Sequence, residues 1–134
     1  MSKKILIIDD EPTQIEPVID RIEFTFGPDS FIYTQYFDEG LLALEKENIS
    51  CLSIDLIMPA DGALKYKDSL INGINALKQI REEHQGLPIV CYTVVKEEET
   101  IQKIINYHSE YISKKDDDGF YKLFKFFNTN FKRQ

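Results

Sequence analysis

The stretch Ser53-Ile54-Asp55-Leu56-Ile57-Met58-Pro59 places one carboxylate near the end of a short apolar run and follows it with a proline. Proline cannot donate a hydrogen bond to a sheet, so Pro59 marks the exit of the chain into a loop. An ionised carboxylate at the end of a buried strand costs free energy unless another group stabilises it. The stretch therefore predicts a buried strand that ends at a functional acid, Asp55.

Strand-like apolar runs alternate with helical patterns on both sides of this stretch. The predicted strands cover residues 4–8, 30–36, 51–55, 89–93 and 111–113. After each run, apolar residues recur at helical spacing, and these helices are expected to start near Glu16, at Asp38 as the cap, at Gly73, at Lys96 and near Phe120. Such alternation predicts the α/β class, with a parallel sheet and helices on both faces, in a single domain over residues 1–134.

Composition excludes several classes of function. The chain has 134 residues, 43% of them hydrophobic, and a formal net charge of -7, which argues against direct binding of nucleic acid. The apolar run near the N-terminus is too short for a signal peptide or a membrane span, so we expect a cytoplasmic protein with no membrane contact. Cys51 and Cys91 lie in strand-like runs and are predicted to be buried, reduced thiols.

Polar side chains follow four of the predicted strands at the point where each strand ends. Asp9 and Asp10 follow the first, Asp55 ends the third, Thr93 ends the fourth and Lys114 follows the fifth. Parallel strands end at one edge of the sheet, so these side chains should meet there. Clustered carboxylates repel unless a cation is present, and Mg²⁺ prefers oxygen ligands. Thr93 and Lys114 suit phosphate oxygens, which leaves Asp55 as a nucleophile toward phosphorus.

Taken in chain order, these motifs resemble the receiver domain of response regulators, the phosphoacceptor module of two-component signalling. The resemblance covers nearly the whole chain. Its motifs are Ile7-Ile8-Asp9-Asp10-Glu11-Pro12 on the first strand, Asp55-Leu56-Ile57-Met58-Pro59 at the phosphoacceptor, Gly73-Ile74-Asn75-Ala76-Leu77 at the start of the third helix, and Tyr111-Ile112-Ser113-Lys114 on the last strand.

The resemblance implies a flavodoxin-like (βα)5 fold with strand order 2-1-3-4-5 and a site that takes a phosphoryl group. Asp55 would accept it from a phosphohistidine kinase or a phosphotransfer protein. Mg²⁺ would be held by Asp55, Asp10, the backbone carbonyl of Ile57 and, through water, Asp9. On this interpretation the chain is a signalling domain that catalyses only its own phosphorylation and dephosphorylation, and it is not an enzyme.

The resemblance also implies a switch. Thr93 and Tyr111 would move together on phosphorylation and alter the surface around the fourth helix, fifth strand and fifth helix. That surface would bind a downstream protein or a second copy of the chain. Tyr121 and Phe126 fall off the apolar stripe of the last helix and are predicted to be exposed aromatics of a contact face, whereas His84 and His108 are predicted to be structural residues at helix ends.

Three departures from the receiver pattern affect the site. The segment between Pro59 and Gly73 is longer than in common receivers, and we expect a loop over residues 60–72 beside the site. Val94 replaces a small residue after Thr93, where its bulk would hinder an attacking water. Lys115 replaces a proline, and we assign the active-site role to Lys114 because it places Tyr111 three residues earlier.

Two other functions remain open on the sequence alone. The first is a receiver-like module that binds a protein without being phosphorylated. The second, more remote, is a phosphohydrolase with an aspartate nucleophile, which would resemble the haloacid dehalogenase family. That family has Asp-x-Asp on its first strand, whereas the residue two positions after Asp9 is Glu11.

Overall fold

The computed structural model describes residues 2–57 and 66–131, with the backbone alone at residues 66 and 67. Strands and helices alternate along these residues. They are β1 (Lys4–Ile8), α1 (Pro12–Phe26), β2 (Phe31–Thr34), α2 (Phe37–Lys46), β3 (Ile49–Ile54), α3 (Tyr66–Glu83), β4 (Ile89–Thr93), α4 (Glu98–Asn106), β5 (Glu110–Ser113) and α5 (Gly119–Asn130).

The five strands form one sheet in the order β2-β1-β3-β4-β5, and every neighbouring pair is parallel. The predicted fold class and strand order are confirmed. Parallel strands need crossover connections, and the helices that make these connections cover both faces of the sheet. All carboxyl ends of the strands therefore lie along one edge of the sheet.

Side chains from alternate strand positions build a separate core on each face. Ile5 and Ile7 of β1 face the core beneath α1 and α5, whereas Leu6 and Ile8 face the core beneath α2, α3 and α4. This alternation is the period of two expected for a strand that is buried on both faces.

The apolar face of α5 is wider than the sequence stripe indicated. Phe126, predicted to be exposed, is only 5% exposed and packs in the first core, with its ring centroid 5.9 Å from that of Phe127. That prediction was wrong because α5 packs over a broad layer of aromatic side chains and not against a single line of contacts. Tyr121 is 70% exposed, as predicted.

Helix α1 begins at Pro12 and not near Glu16. Proline suits the first turn of a helix, whose amide groups have no partner within the helix, and Pro12 occupies that turn. Pro17 lies inside α1, where it removes one backbone hydrogen bond. Asp38 lies in the first turn of α2 and is not its cap, and α4 begins at Glu98 and not at Lys96.

Helix α3 begins at Tyr66, so the predicted loop over residues 60–72 was wrong for its second half; residues 60–65 lie outside the described residues. Gly73 lies inside the helix. A Cβ atom at this position would overlap the backbone carbonyl of Leu56, in the segment that follows β3. Glycine is therefore required by the close approach of α3 to that segment, and it does not mark a helix start.

A buried arginine joins the ends of α3 and α4. The Arg81 guanidinium donates hydrogen bonds to the backbone carbonyls of Tyr107 (2.8 Å), His108 (3.0 Å), His84 (3.0 Å) and Gln85 (2.9 Å). These carbonyls lie at the carboxyl ends of the two helices, where the helix dipole favours a cation. Tyr107 and His108 also form the turn that follows α4, and His108 adopts a left-handed conformation with φ of 56°.

The two cysteines are buried and free, as predicted. Burial raises the pKa of the Cys51 thiol to about 12 and also raises the pKa of Cys91. No helix within residues 2–57 and 66–131 combines the length and the apolar character needed to cross a bilayer.

Candidate functional site

Four strand ends bring the predicted polar residues to one edge of the sheet. Asp9 follows β1, Asp55 follows β3, Thr93 ends β4 and Lys114 follows β5. The sheet pairing continues to these positions, because the Asp55 amide donates to the Ile8 carbonyl (2.9 Å) and the Lys114 amide donates to the Thr93 carbonyl (2.9 Å). The backbone of the sheet thus fixes where each of these side chains begins.

The Asp55 carboxylate is held at both oxygens. Its Oδ1 accepts hydrogen bonds from the Thr93 hydroxyl (2.8 Å) and the Ile57 amide (3.0 Å), and its Oδ2 accepts one from Lys114 Nζ (2.9 Å). The residue is only 4% exposed. Three donors from three segments therefore set the orientation of one nearly enclosed carboxylate.

Lys114 connects Asp55 to Asp9. Its Nζ lies 2.7 Å from Asp9 Oδ2, and its side chain is 7% exposed. The other oxygen of Asp9 accepts a hydrogen bond from the Glu11 amide (2.9 Å). Lys115 is exposed, and its amide donates to the Ser113 hydroxyl (3.1 Å). The structure thus places Lys114, and not Lys115, among the carboxylates.

The three carboxylates form a group that fits a divalent cation. Asp9, Asp10 and Asp55 each offer one oxygen, and these oxygens lie within 4.8 Å of one another. Asp10 Oδ1 is buried and has no hydrogen-bond partner. With all three ionised and Lys114 protonated, two negative charges remain uncompensated. Carboxylate oxygens are the donors that Mg²⁺ prefers, so both charge and donor type fit that ion.

Burial and mutual repulsion determine the protonation of this group. Burial raises the pKa of Asp9 to about 6, because loss of water outweighs the attraction of Lys114. Burial and the nearby Asp55 charge raise the pKa of Asp10. Burial alone would lower the pKa of Lys114, but the charges of Asp55 and Asp9 outweigh it and raise that pKa. Burial therefore disfavours the charged forms of Asp9 and Asp10, whereas Lys114 keeps its proton.

Tyr111 contacts the segment that follows Thr93. Its ring is half-buried in the second core, and its hydroxyl donates to the backbone carbonyl of Val95. Val94 lies between these two contacts and is half-buried. The segment from Thr93 to Val95 is thus bonded at one end to Asp55 and at the other to β5.

Two tyrosines beside the site were missed by the sequence analysis. The Tyr33 hydroxyl, at the end of β2, donates to the Asp9 carbonyl (2.7 Å), and the Tyr92 ring lies 5.7 Å from Lys114 Nζ. Both belong to the face covered by α1 and α5. The sequence feature that could have identified them is their position, since each is an aromatic residue next to the carboxyl-terminal residue of a strand.

Comparisons with known proteins agree with this geometry. The model of the response regulator receiver domain family matches residues 5–122. No curated protein matches the chain by sequence.

Several solved structures share the fold. A response regulator receiver domain protein (CheY-like) from Methanospirillum hungatei JF-1 is 21% identical with a TM-score of 0.72, covering 96% of this chain and 93% of that one. A response regulator receiver protein from Pseudomonas putida is 20% identical with a TM-score of 0.75, covering 96% and 98%. The isolated receiver domain of RcsB from Salmonella enterica serovar Typhimurium is 17% identical with a TM-score of 0.72, covering 99% and 91%.

The family match spans most of the chain, and the sheet has the strand order of that family's fold, with an acidic cluster at its carboxyl edge. The chain therefore belongs to the response regulator receiver domain family, the signalling module of two-component systems.

Proposed function

We propose that Asp55 accepts a phosphoryl group from the phosphohistidine of a sensor kinase or phosphotransfer protein, in a reaction that requires Mg²⁺, and thereby switches a protein-binding surface. The observation that carries this proposal is the Asp55 carboxylate itself. It is nearly enclosed, it is oriented by Thr93 and Lys114, and it lies beside the unpartnered Asp10 oxygen.

The metal would be held by Asp10, Asp55, the Ile57 carbonyl and, through water, Asp9. The unpartnered oxygen of Asp10 supports this assignment, because a buried carboxylate oxygen without a donor is costly and a cation would satisfy it. When bound, Mg²⁺ supplies positive charge that neutralises the oxygens of the transferring phosphoryl group.

The transfer requires one carboxylate oxygen of Asp55 to attack phosphorus. A P–O bond forms, the P–N bond to the donor imidazole breaks, and the imidazole keeps the electron pair and takes up a proton. The product is an acyl phosphate on Asp55. Lys114 and Thr93 lie within hydrogen-bond distance of this carboxylate, and we expect them to donate to the phosphoryl oxygens as negative charge accumulates.

The switch would pass from Asp55 to Tyr111 through a single short segment. Phosphorylation adds about two negative charges. Thr93 now donates to Asp55 and would donate to the phosphoryl group instead, which moves the segment that carries Val95. Tyr111 is bonded to the Val95 carbonyl and would move with it.

The surface altered by this movement has the apolar character of a binding site. Ile105 on α4 is exposed, and α4 contacts β5 in the fold, whereas the exposed Tyr121 on α5 lies near Arg21 of α1. Large apolar side chains on a surface favour protein contacts. We propose that this surface binds a downstream protein or a second copy of the chain.

The test is incubation with a small-molecule phosphodonor such as acetyl phosphate, with and without Mg²⁺. We expect a hydrolytically labile mass increase of one phosphoryl group on Asp55 that requires Mg²⁺ and is absent in Asp55→Asn. Asp29→Asn, an exposed acid on the opposite side of the sheet, serves as the control and should be modified normally. If the folded protein binds no Mg²⁺ and is never modified, the unphosphorylated receiver-like module replaces this proposal.

A further inference from the structure

Tyr92 lies directly beside the site but belongs to the other face of the sheet. It precedes Thr93 on β4, and its half-buried side chain packs with the core beneath α1 and α5. Its ring centroid is 5.7 Å from Lys114 Nζ, within the range of a cation–π interaction. The Lys114 ammonium is thus bounded by Asp9 and Asp55 and by an aromatic ring.

This arrangement addresses a difficulty specific to lysine. The Lys114 side chain is a flexible four-carbon chain whose charge is strongly hydrated, yet it is only 7% exposed. The ring excludes water and attracts the ammonium through its electron-rich face, and this attraction grows as water is removed. The ring therefore limits the positions available to Nζ at little electrostatic cost.

A divalent cation competes with Lys114 for the carboxylates but not for the Tyr92 ring. In the proposed function Asp9 and Asp55 are shared with a divalent cation, which weakens their attraction for Lys114. A tyrosine ring is not a ligand for Mg²⁺, so its attraction for the ammonium persists. We propose that Tyr92 is a positioning residue for Lys114, whose ring keeps the ammonium beside Asp55 while metal and phosphoryl group occupy the carboxylates. This inference rests on the proposed function.

Three variants separate the ring from the hydroxyl and from general packing. Tyr92→Leu removes the ring, and Tyr92→Phe keeps the ring without the hydroxyl. Tyr107→Leu removes another half-buried tyrosine ring, which packs against the second core and lies away from the site. Thermal unfolding of all three identifies effects that come from stability alone.

The first measurement follows the Lys114 ammonium by nitrogen-15 NMR at saturating Mg²⁺, where the carboxylates are shared with the metal. A side-chain ammonium gives a signal when it is held in fixed contacts that slow exchange with water. We expect this signal in the wild type, Tyr92→Phe and Tyr107→Leu, and its loss in Tyr92→Leu. Persistence of the signal in Tyr92→Leu would overturn the inference.

The second measurement uses the phosphomimetic BeF₃⁻, in the presence of which the RcsB receiver domain was solved. At saturating Mg²⁺ we expect Tyr92→Leu to bind BeF₃⁻ about tenfold more weakly than the wild type, with Tyr92→Phe restored and Mg²⁺ affinity in its absence unchanged. Equal losses in Tyr92→Phe and Tyr92→Leu would overturn the role of the ring. A wild type that binds neither Mg²⁺ nor BeF₃⁻ contradicts the proposed function, whereas a wild type that binds both, with Tyr92→Leu binding them equally well, contradicts only the role of Tyr92.

Discussion

Lys114 and Arg81 are both buried cations, and they lie at opposite ends of the sheet. At the carboxyl edge, Lys114 Nζ pairs with the carboxylates of Asp9 and Asp55. At the amino edge, the Arg81 guanidinium meets backbone carbonyls at the ends of α3 and α4. A receiver-sized domain thus satisfies two buried charges in two different ways.

The difference lies in whether the partners can be exchanged. Backbone carbonyls at a helix end are fixed by the helix and carry only partial charge, so Arg81 joins α3 to α4 permanently. Carboxylates carry full charges that a metal ion or a phosphoryl group can take over. A buried cation therefore indicates a working site only when its partners have a second use, as those of Lys114 do in the proposed function.

The largest effect should come from removing Lys114, the buried cation whose partners can be exchanged. We expect Lys114→Met to lower the rate of phosphorylation by about 100-fold, because it removes a donor to the developing negative charge. Lys115→Met is the matched control and should react at the wild-type rate, since that side chain is exposed outside the site. Phosphorylation rates with acetyl phosphate and Mg²⁺ decide the comparison; equal rates in both variants would remove Lys114 from the mechanism.

Removal of Arg81, the buried cation with fixed backbone partners, should instead affect the stability of the fold. Arg81→Met leaves buried carbonyl groups at two helix ends without donors, and we expect a loss of about 3 kcal/mol in the free energy of unfolding. Arg81→Lys should recover part of this loss. Urea unfolding measures it, and the folded fraction should still be phosphorylated. A stable Arg81→Met protein with impaired phosphorylation would contradict the assignment of a structural role to Arg81 and a functional role to Lys114.

Two glycines, Gly73 inside α3 and Gly86 just beyond its end, provide a further contrast. A methyl group at Gly73 would overlap the Leu56 carbonyl, whereas a methyl group at Gly86 would meet no atom within 4 Å. We expect Gly73→Ala to destabilise the protein by about 2 kcal/mol, while Gly86→Ala changes stability by less than about 0.5 kcal/mol. Urea unfolding of the pair tests this; equal stability would mean that α3 can move away from the segment beyond β3.

Metal binding at the carboxyl edge should weaken in acid. The pKa of Asp9 is raised to about 6, so protons compete with Mg²⁺ for this carboxylate below that pH. Between pH 7 and pH 5 we expect the affinity for Mg²⁺ to fall about tenfold, as one proton must be displaced for each metal bound. Titration calorimetry at several pH values measures it.

Stability of the metal-free protein should change in the opposite direction. Since the folded-state pKa of Asp9 lies above its unfolded value of 3.8, the folded protein binds this proton more tightly than the unfolded chain. The cost of the ionised carboxylate is present above pH 6 and is relieved as pH falls toward 4. The contribution of Asp9 to stability should thus rise on acidification. Comparing the wild type with Asp9→Asn isolates this contribution, and a difference that does not change with pH would contradict the raised pKa.

The smallest effect concerns Asp10, one of whose carboxylate oxygens has no hydrogen-bond partner. Asp10→Asn removes a charge whose pKa is raised by burial and by Asp55, so we expect the metal-free protein to melt about 3 °C higher while binding Mg²⁺ more weakly. Asp20→Asn, at an exposed position of α1, is the control and should change neither property. A lower melting temperature for Asp10→Asn would show that the Asp10 charge does not destabilise the metal-free protein.

Sequence patterns predicted the sheet and the edge at which the site lies. The apolar run that ends at Ile8 is continuous, and an acid directly follows both this run and the one that ends at Ile54, so the positions of these two strands needed no distant information. Parallel topology then brings the acids together. These are local signals combined with one general rule about strand direction.

Other features depend on contacts that the local sequence does not contain. The start of α1 was misplaced because Glu11, its N-cap residue, makes no side-chain capping bond. Gly73 was taken as a helix start, whereas its role depends on Leu56 in another segment. The hydrogen bond from Arg81 to Tyr107 and the contact of Tyr92 with Lys114 join residues more than twenty positions apart. No local pattern distinguishes Arg81 and Tyr92 from other side chains of their kind.

The two buried thiols have a practical consequence. Cys51 and Cys91 are enclosed in β3 and β4, and their raised pKa values keep them protonated at neutral pH, where thiolates are the reactive form. Thiol reagents should therefore react with neither Cys51 nor Cys91 in the folded protein. A single cysteine introduced on α4 or α5 could be labelled selectively in the natural background, so that distances across the proposed switch surface become measurable with probes attached at chosen points.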